Sequence, residues 1–272
     1  MRPHGGSPHN EASRPRRRST GVEQLHVAVA VLRRTTIHTF KNPAIIIPSL
    51  AFPIVFLLAF AGGLSNVQNV PGFGFAAGYT AFQFVFVFLQ MAAFGGIFTG
   101  YRIAEDYESG FVRRLMLGAP RREGILLGYV FAGMLRYAFI GTLIWALALV
   151  TGMRVLGSFI DVGALILLGA LVNVACTLWV AGLAFHFKSV SIGSFMQTPV
   201  FVLLFLAPVY VPIGLLGGWL KQAAMVNPVT AIVEAGRGFI SGQNTKVELA
   251  FACAAGIGIV MAFFAAREMR RA

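Results

Sequence analysis

Between Lys41 and Arg102 the chain carries no Asp, Glu, Lys or Arg at all. A helix crosses the roughly 30 Å hydrocarbon core of a bilayer in about 20 residues, so this stretch is long enough to cross twice. Backbone N–H and C=O groups in hydrocarbon must be satisfied within the chain, which leaves helices or a closed barrel. The apolar runs here are long and do not alternate as barrel strands do, so helices are expected. Asn, Gln, Pro and Gly break the stretch over 65–74, giving spans near 44–64 and 76–101. Ala59, Phe60 and Ala61 imitate a signal-peptidase site, but the apolar stretch exceeds the core of a leader, and the first span is expected to be retained.

Further apolar runs lie near 125–150, 162–185, 192–210 and 247–266. The fold class expected is an all-α membrane protein of six transmembrane helices forming one membrane domain over 22–272. Hydrophobic residues make up 57% of the chain and charged residues 12%, a balance that suits lipid as the solvent. The tail over 1–21, with Arg14, Arg16, Arg17 and Arg18, is expected to be disordered. Over 22–41, Leu25, Val29, Leu32, Thr36 and Phe40 share a helical stripe while Arg33, Arg34 and Lys41 can snorkel outward. That pattern predicts a helix in the membrane interface, or else the leading end of the first span.

Lys and Arg also set the orientation, because cytoplasmic loops retain them. With both termini inside, seventeen basic residues fall in the cytoplasm, while Arg154, Lys221, Arg237 and Lys246 fall outside. Arg136, within a span, completes the 22. The same distribution accounts for the net charge of +12 without nucleic acid, since the basic residues line the connections rather than one soluble face. A multi-pass protein of the cell membrane is expected. Cys176 and Cys253 sit in apolar runs as small hydrophobes, and neither a metal site nor a cofactor is expected.

Two segments concentrate unusual chemistry. The first, between the second and third spans, carries Glu105, Asp106, Glu108, Ser109 and Gly110, then Phe111, Val112, Arg114, Leu115 and Met116, then Pro120 and Arg122. Acidic groups suit helix starts, and Phe111, Val112, Leu115 and Met116 can form an apolar face able to dock on a protein; a solvated loop is the alternative. The second holds Pro208, Pro212, Gly214, Gly217, Gly218, Trp219, Asn227 and Pro228, too many breakers for a straight span among neighbours too apolar for an ordinary loop. Broken, partly re-entrant structure before the last span is expected. Glu234 and Arg237 follow at i,i+3, a spacing that permits an ion pair.

Other residues admit two readings. Arg136 lies well inside a span, where it either pairs structurally or meets a substrate. Gly96 and Gly100 permit close helix approach, within the chain or to a second copy. Phe73, Phe75, Phe82, Phe84, Phe86 and Phe88 crowd the second span on alternate faces, so most are expected to pack or to touch lipid. His186 and Lys188 end the fourth span as an ordinary polar tip.

The first segment resembles the cytoplasmic loop of type-2 ABC transporter permeases, particularly of the daunorubicin-resistance drug exporter group. It shares the acidic run, Ser109-Gly110, Arg114-Leu115, Pro120 and Arg122, and continues into Ile125-Leu126-Leu127-Gly128. The late segment is similar in order and spacing, through Pro208 to Pro212, Gly218-Trp219-Leu220, Asn227-Pro228-Val229-Thr230, Glu234 and Arg237-Gly238. The resemblance implies a coupling helix over 105–117 seated on a separate dimer of ABC ATPase subunits. It also implies a second permease, identical or related, a substrate path between the two, and an outward-facing cap built from the late segment. In keeping with that, the sequence has no G-x-x-x-x-G-K-[ST] phosphate loop, and this subunit is expected not to be an enzyme. Export of a hydrophobic or amphipathic molecule such as a drug, an antibiotic or a lipid follows as the expected function. Two other classes compete: an ion-gradient-driven transporter or channel, and an intramembrane enzyme. Both ordinarily need ionisable groups at membrane depth, where the expected spans have almost none.

Overall fold

A computed structural model describes residues 21–118 and 123–272. The tail over 1–20, and with it Pro120 and Arg122, lies outside the described residues; Gly21 already belongs to the first helix. Ten α-helices are described: α1 (Gly21–Lys41), α2 (Pro43–Gly63), α3 (Gly78–Glu108), α4 (Phe111–Gly118), α5 (Glu123–Val150), α6 (Phe159–Phe187), α7 (Gly193–Phe205), α8 (Gly218–Val226), α9 (Pro228–Ser241) and α10 (Val247–Arg271).

Five of them, α2, α3, α5, α6 and α10, are long and apolar enough to cross a membrane. The chain is therefore a multi-pass, all-helical membrane protein. The run expected to form a fifth span over 192–210 behaves differently. Its helix α7 has 13 residues, ends at Phe205 and contains Pro199. Pro208 and Pro212 then withhold backbone N–H groups that a continuing helix needs, so the chain passes instead to a 3-10 turn at Ile213–Leu215 and the short helix α8.

At the centre stands α3. In its most apolar 18-residue stretch 94% of residues are buried, against 17% in those of α2 and α10. Phe82, Phe84, Phe86 and Phe88 are all within this core, which settles the crowded phenylalanines as packing residues. Gly96 and Gly100 face α6: a Cβ on Gly96 would come within 2.6 Å of the Thr177 backbone nitrogen, and one on Gly100 within 2.3 Å of the Val180 side chain. The glycine spacing thus closes a seam inside the chain, not a contact reserved for a second copy. Gly96→Ala should cost about 1–3 kcal/mol by overpacking. Denaturant unfolding of the detergent-solubilised protein measures it, and a variant as stable as the parent would contradict the seam.

α1 is helical as expected, and Leu25, Val29 and Phe40 of the anticipated stripe are exposed. The opposite face, with Ala28, Val31, Thr35 and Thr39, is the buried one, and α1 packs along α5. Close approach there comes from Gly128, whose Cβ would meet the Ala28 carbonyl at 2.7 Å.

Helix directions follow from contacts between ends. The start of α6 meets the residues before α10 through Asn244 Nδ2, which donates to Asp161 Oδ1 at 2.7 Å. Their far ends meet through His186 Nδ1 and Glu268 Oε2, 2.9 Å apart. α6 and α10 therefore run the same way.

Candidate functional site

The acidic run predicted from sequence closes α3, and its residues take separate tasks. Asp106, on the final turn of α3, is fully buried. Arg34 Nη1 of α1 donates to both of its oxygens at 2.8 Å. Arg102 Nη2, one turn back on α3, donates to Oδ1 at 2.7 Å, and the Tyr129 hydroxyl of α5 donates to Oδ2 at 2.7 Å. Glu105 holds the other arm of Arg102 at 2.7 Å, and that nitrogen lies 3.3 Å from His38 Nε2. One buried carboxylate thus ties three helices together, with two guanidinium groups and a phenol balancing it. Glu108 points elsewhere, accepting from the Val190 N–H and the Ser189 hydroxyl at 2.8 Å, and so fixes α3 to the turn before α7.

Gly110 carries the chain from α3 to α4 with φ of 71°, a left-handed conformation that a glycine adopts without a steric penalty. Ser109 closes α3, its hydroxyl donating to the Asp106 carbonyl at 3.2 Å. α4 then lies against the clamp. The Arg34 guanidinium carbon sits 3.6 Å from the centre of the Phe111 ring. Val112 is fully buried, Leu115 and Met116 pack half-buried against the chain's own core, and the Tyr107 hydroxyl reaches Met116 Sδ at 3.4 Å. This turns the anticipated docking face inward. The outward side of α4 is Arg113, Arg114 and Leu117, the last 86% exposed.

At the opposite end, Arg237 of α9 is buried but does not pair with Glu234. Its guanidinium donates to the carbonyls of Pro208, Val209 and Phe82 at 2.7, 3.1 and 3.3 Å and lies 3.3 Å from the centre of the Phe82 ring. Glu234 instead meets Lys246 Nζ at 2.6 Å. The physical reason is supply and demand: the broken segment at Pro208 leaves carbonyls without helical donors, and a buried guanidinium with five N–H groups satisfies them. Asn227 caps α9, accepting from the Val229 N–H at 3.0 Å while Nδ2 donates to the Leu203 carbonyl at 2.6 Å; Pro228 occupies the first turn. Pro212 precedes the 3-10 turn, and Trp219 on α8 is 72% exposed. These residues thus share one end of the bundle, where the Tyr79 hydroxyl also donates to the Tyr210 carbonyl at 3.2 Å.

Arg136 belongs to neither cluster. It is buried between α5 and α3, where Nη2 donates to the Gly95 carbonyl and, at 2.8 Å, to Thr99 Oγ1. Of the two readings for this residue, the geometry is that of a structural pair to backbone.

Arg34, expected to snorkel outward, turns in to the Asp106 carboxylate instead, and Arg102, Tyr129 and His38 join it without having been read from the sequence as site residues. Arg102 could have been, since Glu105 and Asp106 stand three and four residues on, the spacing at which helical side chains meet. No local signal marks Arg34, 72 residues from its carboxylate.

No curated protein matches the sequence. The family model described as ABC-2 type transporter matches residues 26–240, from α1 through the clamp, α4, the broken segment and Arg237. With most of its length matched, the chain belongs to the ABC-2 type transporter family and is a non-catalytic, multi-span membrane permease subunit.

Proposed function

We propose that this subunit forms the membrane path of an ATP-driven exporter of the daunorubicin-resistance kind, moving a hydrophobic or amphipathic drug, antibiotic or lipid out of the cytoplasm. Membership of the family implies a partner ABC ATPase, supplied on separate chains, and a lipid setting. A second permease, identical or related, completes the path in this reading. The observation that carries it is the clamp on Asp106 beside α4: a push on α4 meets three helices joined by buried charge, so it moves them as a unit. In the same reading the Pro208–Arg237 knot forms the outward cap, and α1 lies in the interface with Leu25 and Val29 in lipid.

Six crossings, with both termini cytoplasmic, belong to the proposal. The support is parity. α6 ends beside His186 at the end where α10 also finishes, and α10 starts at the other end, so the chain between them must return across the bundle. α7 with the extended residues up to Val209 makes that return. An ion-driven transporter fits less well, because the carboxylates of Asp106, Glu108, Asp161 and Glu268 all lie in the terminal turns of their helices.

Accessibility tests the orientation. With Cys176 and Cys253 replaced by Ala, single cysteines at Ser109 and Arg270 should resist an impermeant thiol reagent in intact cells. One at Asn69 should react. Reaction at Ser109 with protection at Asn69 inverts the orientation and removes α4 from the ATPase side.

A further inference from the structure

Away from both charged ends, the bundle contains a wholly apolar slot of about 250 Å³. Its walls come from α3 (Leu89), α6 (Cys176, Trp179), α7 (Val200), α9 (Ile232) and α10 (Ala254). No polar surface lines it. From Val172 to Trp179 the wall lies about 12–22 Å from the basic end of α6 at 1.5 Å per residue, which is membrane depth by the length of the helix. Leu203 on α7 is 41% exposed, and Ile259, Val260 and Phe263 of α10 are exposed as well, so both helices carry apolar side chains on the outer surface of the chain.

An empty slot of this size is costly, because its walls lose the dispersion contacts that a close-packed interior supplies. Water does not relieve the loss, since a site without polar partners stays dry; apolar cavities of ~150 Å³ take up small hydrocarbons instead. The other helices do not relieve it either. α7 buries only Gly193, Met196 and Leu204, and the slot lies along its flank. What the surroundings offer at that depth is the methylene chain of a lipid.

We infer that the slot binds one acyl chain of a bilayer phospholipid, seated between α7 and α10 and packed on Trp179, as a fixed component of the subunit. It completes the packing of α7 on α6 and α10. The inference rests on the membrane assignment alone and stands apart from the ATPase and the cargo.

Trp179 supplies the readout. Its Nε1 donates to the Met196 carbonyl at 3.3 Å, so the ring is fixed at the slot wall. A variant with Trp145→Phe and Trp219→Phe keeps it as the sole tryptophan. In vesicles made wholly of phosphatidylcholine brominated at mid-chain, Trp179 should be quenched about as strongly as a reference tryptophan in lipid, Phe263→Trp in the background of Trp179→Phe. Filling the slot from either wall, with Ala254→Phe or Val200→Phe, should cut the Trp179 quenching to less than half. Quenching of the Phe263→Trp reference should stay unchanged, which also shows that the filled variants still insert. Quenching of Trp179 far below that of the reference overturns the inference, as does indifference of Trp179 to both filling variants. Quenching by a free apolar solute but not by the bromolipid overturns it too, and makes the slot a cargo pocket.

Discussion

Asp106→Ala should lower the stability of the solubilised subunit by about 3–5 kcal/mol, the cost of leaving a buried ion pair without one partner. The Asp106 carboxylate is 1% exposed and receives four donations, from Arg34 twice, Arg102 and Tyr129. Removing it leaves the Arg102 guanidinium, whose side chain is 9% exposed, with Glu105 as its one remaining carboxylate, while Arg34, at 37%, can turn to solvent. The loss is therefore concentrated on Arg102 and Tyr129. Tyr129→Phe alone removes one hydrogen bond to a charged group and should cost about 1.5–3 kcal/mol. In the Asp106→Ala background the same change should cost much less, because its acceptor is gone; that difference is the coupling. Denaturant unfolding in mixed micelles reads all four corners of the cycle. An Asp106→Ala variant within about 1 kcal/mol of the parent would show that the clamp carries no stability, and additive costs would show that Tyr129 does not act through Asp106.

How much of this was visible beforehand depends on the range of the interaction. The charge-free stretch from Lys41 to Arg102 announces membrane helices; α2 forms within one residue of its expected limits, while α3 starts two residues late and runs on to Glu108, seven residues past the expected end. The coupling helix expected over 105–117 is not one helix: α3 ends at Glu108, Gly110 takes a positive φ, and α4 begins at Phe111. Pairing over long separations leaves no local trace. Glu234 and Arg237 have the right spacing for each other, yet carbonyls freed near Pro208 and an amine at Lys246 outbid that local option. The apolar face of α4 was legible as a face, but periodicity does not say what covers it. The run over 192–210 has the composition of a span, whereas its proline positions limit the helix to Phe205.

Leu117→Asp, on the proposed coupling role of α4, should abolish transport while leaving the subunit folded. Leu117 is 86% exposed at the end of α4, beside the exposed Arg113 and Arg114, so within the chain its side chain has little to lose. Surface substitutions of that kind usually stay within about 0.5 kcal/mol of the parent. Burial of a leucine against an ATPase is worth about 1.5–3 kcal/mol, and an aspartate in its place adds an unpaired charge. Docking should then weaken by roughly 100-fold, at about 1.4 kcal/mol per tenfold. Leu115→Asp supplies the contrast, since Leu115 packs on the subunit's own core and its loss should lower stability as well as transport. Insertion, unfolding, co-purification with the cognate ATPase and transport, measured on both variants, separate the cases. Should Leu117→Asp retain the ATPase and transport at parental levels, the outward side of α4 is a solvated surface and the stroke enters the subunit elsewhere.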